Sequence, residues 1–227
     1  MKMKIMNVAI DGPAGAGKST IARRAAKELG YIYVDTGAMY RGMAYHMLKK
    51  GIDISDESAV SKEAEKLSVK ISYENGEQAV LVNDCNVTSY IRTPEVSAAA
   101  SRVSAYAKVR EALLNLQKDL ARKQSVIMDG RDIGTVVLPN ADVKIFLTAS
   151  AEIRGKRRYD ELISKGQKAD LDDIIQDVKK RDEQDMNRAI APLCQAKDAI
   201  LLDSSDLTIE EVTEKIVSLV HQKEKDL

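Results

Sequence analysis

Tryptophan is absent from this 227-residue chain and Phe146 is its one phenylalanine, so the core must be aliphatic, built from Ile, Leu, Val, Ala and Met. Two cysteines occur, Cys85 and Cys194, far apart and in no metal-ligand spacing. That excludes a cysteine-based metal centre, and each is expected as a small buried or half-buried apolar residue. Net charge is missing too: 35 Lys and Arg balance 35 Asp and Glu. Broad nucleic-acid binding, which shows a basic surplus, is thereby disfavoured, although a local basic cleft remains open. No apolar stretch approaches the length of a membrane span. No targeting segment is expected, because the apolar run after the basic Met1 to Lys4 stops at Asp11 and is needed as a strand. No internal repeat, low-complexity tract or Pro/Ser-rich linker is present. The length suits one large domain or two small ones, with a substantial core.

What is present is the run Gly12-Pro13-Ala14-Gly15-Ala16-Gly17-Lys18-Ser19-Thr20, which fits G-x-x-x-x-G-K-[ST]. Ile5 to Ile10 before it reads as a short buried strand, and Thr20 to Leu29 after it reads as a helix stopped by Gly30. Strand, glycine loop and helix form the arrangement that phosphate binding requires. Glycines let backbone N–H groups point at phosphate oxygens, and the helix N-terminus adds partial positive charge. Lys18 would bring a full charge to the β- and γ-phosphates of a nucleoside triphosphate, and the Ser19 hydroxyl can hold Mg²⁺. An ordinary glycine-rich turn before a lysine is the bland alternative, and the flanking elements argue against it. With the cysteine usage, a nucleotide site points to a reducing cytosol.

Short apolar strands alternate with amphipathic helices. Candidate strands are 5–10, 31–34, 125–129, 143–148 and 198–203; candidate helices are 18–29, 37–50, 56–67, 94–104, 107–123, 150–165, 170–188 and 208–222. Continuous apolar strands such as Val143 to Leu147 imply a sheet covered on both faces, hence a doubly wound, mostly parallel α/β core. Ligands in such folds sit at the carboxyl ends of strands, where Asp11, Asp35, Asp129 and Asp203 fall. The stretch 67–93 breaks the pattern: strands at 69–73 and 78–82 flank a turn at Asn75-Gly76, and 85–88 could add a third, giving a small antiparallel β insertion. The charged end from Gln222 to Leu227 is expected to fray.

Arginines form a second constellation. Asp35-Thr36-Gly37-Ala38-Met39-Tyr40-Arg41 ends a strand and opens a helix, with Thr36 a plausible N-cap. Asp129-Gly130-Arg131-Asp132 ends another strand, where a planar guanidinium suits a second phosphate. Arg154, Arg157 and Arg158 would share one helix face, as would Arg181, Asp185 and Arg188 at i, i+4, i+7. Singly these read equally well as surface helix residues, turns or solvated charge runs. Jointly, in a neutral chain with a phosphate loop, they look like a closable cage for two phosphorylated ligands. His46, within a helix, and His221, near the end, offer no His-based catalytic set.

These residues resemble the bacterial cytidylate kinases, nucleoside-monophosphate kinases with a phosphate loop. The resemblance covers nearly the whole chain. It rests on Ile10-Asp11-Gly12-Pro13 with the loop, on 35–41, on Ile91-Arg92-Thr93-Pro94-Glu95-Val96, on Asp129 to Val137, and on Arg188-Ala189-Ile190-Ala191-Pro192-Leu193. It implies a single kinase domain with a core of about 1–66 and 94–227, a β insertion at about 67–93 in the part that binds the monophosphate, and a helical lid at about 152–168. The implied activity is transfer of the γ-phosphoryl group of ATP, with Mg²⁺ as cofactor, to CMP or dCMP in pyrimidine metabolism. Catalysis would fall to Lys18, Arg131 and Arg157. ATP would be held by residues 12–20 with Arg157 and Arg158. By the same resemblance Arg41 and Arg131 hold the CMP phosphate, Ser101, Arg110 and Asp132 read cytosine, and Asp185 with Arg181 and Arg188 meets the ribose and nearby phosphates. Thr36 and Tyr40 line the acceptor pocket, and Arg154, Arg157 and Arg158 close over the phosphates. Some relatives carry Gly where this chain has Ser19, which should serve at least as well as a Mg²⁺ ligand. A cytoplasmic monomer without nucleic-acid or membrane partners is expected. The alternatives are a related small-molecule kinase acting on UMP or AMP, or a nucleotide-dependent switch; the switch is opposed by the lack of an Asn-Lys-x-Asp segment.

Overall fold

The computed structural model describes residues 5–74 and 76–226. In chain order the elements are β1 (Asn7–Asp11), α1 (Lys18–Leu29), β2 (Ile32–Asp35), α2 (Thr36–Lys49), α3 (Glu57–Ala64), β3 (Val69–Glu74), β4 (Glu77–Val82), β5 (Cys85–Asn86), α4 (Pro94–Val103), α5 (Ala107–Lys123) and β6 (Val126–Gly130). A π-helical turn, Ile133–Val137, then precedes β7 (Val143–Thr148), α6 (Ala151–Ser164), α7 (Leu171–Asn187), β8 (Ile200–Asp203) and α8 (Ile209–Lys225). The five-stranded sheet has the order β2-β6-β1-β7-β8, with β1 parallel to β6 and β7, and β7 parallel to β8. This is the mostly parallel α/β core read from the apolar strands. A three-stranded antiparallel sheet, β3-β4-β5, supplies the expected insertion.

Two compact units can be described separately: Met1–Tyr33 with Ser125–Leu227, and Val34–Gln124. In the first, β1, with Val8 and Ile10 fully buried, packs with Ile21, Ala22 and Ala25 of α1 and Val212, Ile216 and Val220 of α8. Each fully buried Val, Leu or Ile stabilises by about 1.5–3 kcal/mol relative to exposure. The helix α8 starts with a capping box, Thr208 and Glu211 exchanging bonds. In the second unit, Met39, Met43 and Met47 of α2, one turn apart, are completely buried. There α2 lies on β4 so closely that a Cβ on Gly42 would stand 2.9 Å from Val80 Cγ1.

Several local expectations change. The cap of α2 is Asp35, whose side chain accepts from the Ala38 N–H at 2.8 Å, and Thr36 is already helical. A carboxylate is the better partner for first-turn N–H groups because it also meets the helix dipole. The helix expected over 56–67 ends at Ala64, because Lys66 and Leu67 bond back three residues and tighten the last turn. The third insertion strand is two residues long, entered through Asn83 and Asp84, both at positive φ. The turn expected at Asn75-Gly76 lies partly outside the described residues, since Asn75 is not among them. Both cysteines are exposed rather than buried. The end expected to fray from Gln222 is helical to Lys225, and Glu224 there accepts from the Tyr31 hydroxyl at 2.6 Å; Leu227 lies outside the described residues.

The helices α6 and α7 meet at Gly155, where an added Cβ would lie 2.5 Å from Ile175 Cγ1 and 3.4 Å from its Cα. Gly155→Ala should therefore destabilise the protein by about 1–3 kcal/mol through overpacking, against the gain in helix propensity that alanine normally brings. Urea midpoints of the variant and the parent measure it; an unchanged or higher midpoint would contradict this close approach.

Candidate active site

The first unit carries the phosphate loop. Gly12 takes φ +148°, and a Cβ there would fall 1.9 Å from the Leu147 carbonyl oxygen of β7, so no other residue fits. Gly17, at φ +86°, caps α1 with no side-chain bond and leaves the first N–H groups to a ligand. Lys18 is buried, and its Nζ donates to the carbonyls of Gly12 and Pro13, each at 2.7 Å. Burial, followed by the Arg131 charge, pushes its pKa down to about 7, against the pull of Asp129, Asp11 and Asp185. Ser19 donates to Asp129 Oδ2 at 2.8 Å, and the Tyr33 hydroxyl donates to Oδ1 at 3.0 Å. Thr20 is exposed on the first turn.

Carboxylates hold the arginines of the same unit. Arg131 Nε donates to Asp185 Oδ2 at 2.7 Å, and Arg188 Nη2 to Asp132 Oδ1 at 3.2 Å. Asp132 and Asp185 are each 4% exposed. Arg188 stands just past α7 in an extended conformation, so it does not share a helix face with Arg181 and Asp185 as its spacing implied. From there its Nε donates to the Ala191 carbonyl at 2.6 Å, beneath a backbone at φ +49°. Arg181 lies on α7 one turn before Asp185, half-buried.

The basic run on α6 divides instead of acting as one face. Arg154 is 4% exposed; it donates to Ala149 O at 2.8 Å and Ala14 O at 2.9 Å and pairs with Asp182 at 2.5 Å. It is a strut between the phosphate loop, α6 and α7. Arg157 donates to Ser204 O at 2.7 Å, while the exposed Arg158 pairs with Glu161.

In the Val34–Gln124 unit, Asp35 joins Arg41 at 2.9 Å as well as capping α2. Gln78 of β4 brackets the Asp35 backbone: the Asp35 N–H donates to its Oε1 at 2.9 Å and its Nε2 donates to the Asp35 carbonyl at 3.1 Å. Arg110 is buried over the Tyr40 ring at 5.7 Å and reaches Ser104 O at 3.4 Å. Ser104 Oγ in turn donates to the Ser101 carbonyl at 2.9 Å. The Ser101 hydroxyl is buried with no bonding partner, an orphaned polar group suited to a ligand.

Sequence reasoning assigned no role to Asp129, Asp11, Gln78, Asp182 or Ser104. Asp129 and Asp11 carried a signal, since an aspartate closing a buried strand has the carboxyl edge of the sheet before it. Partners set by long-range contacts, such as Asp182 with Arg154, carried none.

A buried lysine and a hydroxyl–carboxylate pair at a phosphate loop, with arginines held by carboxylates, define a kinase of the phosphate-loop class. Solved structures share the fold. A shikimate kinase from Bacteroides thetaiotaomicron superposes with TM-score 0.50 at 13% identity, over 96% of this chain and 99% of that one. A gluconokinase from Sinorhizobium meliloti does so with TM-score 0.50 at 12% identity, over 97% and 94%. The chain belongs to the cytidylate kinase family, whose model matches residues 8–222. A cytidylate kinase of Caldicellulosiruptor bescii is 50% identical over 99% of both chains, and one of Lactobacillus gasseri is 49% identical over 98% of this chain and 96% of that one.

The buried Lys18 has a measurable signature. Its folded pKa, about 7, lies below its ordinary 10.5, so between those values the unfolded chain binds more protons and stability rises with pH. Below pH 7 the cost of the buried charge is present in full. Lys18→Met should therefore be more stable than the parent at pH 6.5, with the advantage shrinking toward pH 10. Denaturant midpoints of both proteins across that range decide it, and a pH-independent difference would refute it.

Proposed function

We infer that this protein transfers the γ-phosphoryl group of ATP to CMP or dCMP, giving ADP and CDP or dCDP. What carries the acceptor assignment is the pair of ion pairs Arg131–Asp185 and Arg188–Asp132, close enough that the charges of Arg131 and Asp185 act on Lys18. A loop alone supports triphosphate binding; arginines and carboxylates beside it supply a second polyanion site with an edge that can read a base.

Phosphoryl transfer asks for positioning and charge stabilisation, with little proton chemistry. Lys18 would leave the two loop carbonyls for phosphate oxygens, and the backbone of residues 12–17 would cradle the remainder. Arg131 would hold the acceptor phosphate, oriented by Asp185, and Asp132 would accept from the cytosine amino group. Arg41, Ser101 and Arg110, with Thr36 and Tyr40, are the second unit's candidates for the acceptor nucleotide. Oxygen donors at Ser19 and Asp129 suit a hard cation; when bound with ATP, Mg²⁺ supplies charge neutralisation at the phosphates. With Arg154 anchored, the moving part of the lid would begin beyond it, and Arg157 would exchange the Ser204 carbonyl for phosphate. Closure there would exclude water as a competing acceptor.

ADP release measured against a panel of nucleoside monophosphates tests the reading, with CMP and dCMP expected to be preferred; a preference for another acceptor would overturn it. Lys18→Ala should lose most turnover while remaining folded by circular dichroism. Asp132→Ala should lower kcat/KM for CMP far more than for UMP, narrowing the gap by roughly 1–3 kcal/mol, the cost of leaving a buried polar group unpaired. Arg110→Ala should harm both substrates. An unchanged CMP-to-UMP ratio in Asp132→Ala would remove Asp132 from base reading.

A further inference from the structure

We propose that Asp11 is a positioning residue for base discrimination: its carboxylate clamps the turn after Asp132 and ties that turn to the phosphate loop. This rests on the base-reading role proposed for Asp132. The main chain of Asp11 is held from both sides. It sits opposite Gly130 on one side and Phe146 on the other, and Gly12 follows, pressed against the Leu147 carbonyl. From this fixed point the two carboxylate oxygens each accept one N–H, Oδ1 from Ile133 and Oδ2 from Gly134, both at 2.7 Å. These are the two amides immediately after Asp132, at the start of the π-helical turn, where an N-terminal N–H has no partner within the turn. Asp132 itself, at φ −146° and ψ 28°, belongs to neither a strand nor a helix, so its aim depends on what holds the next two residues.

The opposite side of the turn is closed as well. A Cβ on Gly134 would lie 3.4 Å from Asp11 Oδ2 and 3.2 Å from Lys144 Cδ. The Lys144 ammonium is turned away, donating to Pro139 O and to both oxygens of Asp198. Asp11 is 4% exposed, and burial and the neighbouring Asp132 charge both oppose its ionisation, while the two N–H donors and Lys18 favour it. What the carboxylate offers, and an amide does not, is two acceptors of fixed geometry for two consecutive amides. Asp11 thereby links the residue that opens the phosphate loop to the segment that would read the acceptor base.

The test is Asp11→Asn in the full-length enzyme, which keeps the shape but turns an amide NH₂ toward one backbone N–H. Kinetics with CMP and UMP are read beside Asp132→Ala and Lys144→Met, the last keeping its stem on Gly134 while losing Asp198. We expect Asp11→Asn to lower kcat/KM for CMP by roughly tenfold or more, as for one lost buried bond to a charged acceptor, and to lower it less for UMP. In Gly134→Ala, which leaves the Asp11 charge beside Lys18 in place, KM for ATP should stay within about twofold, a split that general loosening would not produce. Lys144→Met should lower the thermal midpoint and leave the CMP-to-UMP ratio alone. Gly134→Ala is the milder second variant should Asp11→Asn fail to fold, and it should narrow the ratio in the same direction. If Asp132→Ala collapses the ratio while Asp11→Asn, or Gly134→Ala in its place, affects both substrates equally, the positioning role of Asp11 is wrong. If Asp132→Ala leaves the ratio unchanged, the base-reading role fails and the proposal falls with it.

Discussion

The closest constraint in the first unit is steric: the chain at Gly12 passes so near the Leu147 carbonyl that a single added carbon would overlap it at 1.9 Å. Much of the site follows from this approach. It pins the carboxyl end of β1 against β7 and starts the loop in a conformation that only glycine adopts without strain. It brings the Gly12 and Pro13 carbonyls to the Lys18 ammonium. The loop is thus shaped by contacts within the chain, and such preorganisation lowers the ordering cost of binding a phosphate.

Around that loop the unit stores charge in a neutralised form. Lys18 rests on carbonyls, Arg131 on Asp185, Arg188 on Asp132, and Arg154 on Asp182. Buried charges are costly unless paired, and an arginine held by a carboxylate keeps its position without a ligand. The pairs differ in use: those at Asp185 and Asp132 belong to the proposed acceptor site, whereas Arg154–Asp182 secures the loop against α6 and α7. An arginine's role here depends on what its carboxylate is attached to.

The sequence was most legible where one short segment carries the whole physical requirement. The phosphate loop, the parallel sheet with its closing aspartates and the antiparallel insertion could all be read from glycine spacing, apolar runs and alternation. Legibility faded where a side chain's meaning depends on distant partners. Thr36 looked like a cap, yet Asp35 beside it is the cap, held in place by Gln78 of a strand more than forty residues away. Arg154, Arg157 and Arg158 are neighbours in the helical period, but one is buried, one reaches the loop after β8, and one faces solvent. Arg188 fitted a helical spacing that ends one residue before it.

The sequence by itself determined the class of chemistry. A glycine loop followed by lysine and serine at the start of a helix has few uses other than gripping phosphates, because backbone N–H groups, a helix N-terminus and a full charge converge there through local geometry. Only the tertiary structure decided the pairings: Ser19 and Tyr33 on Asp129, Asp11 on the amides of Ile133 and Gly134, and Arg188 on Asp132. These join residues about one hundred positions apart, or more than fifty in the last case. They exist because parallel strands must return through long crossovers before their carboxyl ends can meet, so nothing in the local sequence of either partner announces the other.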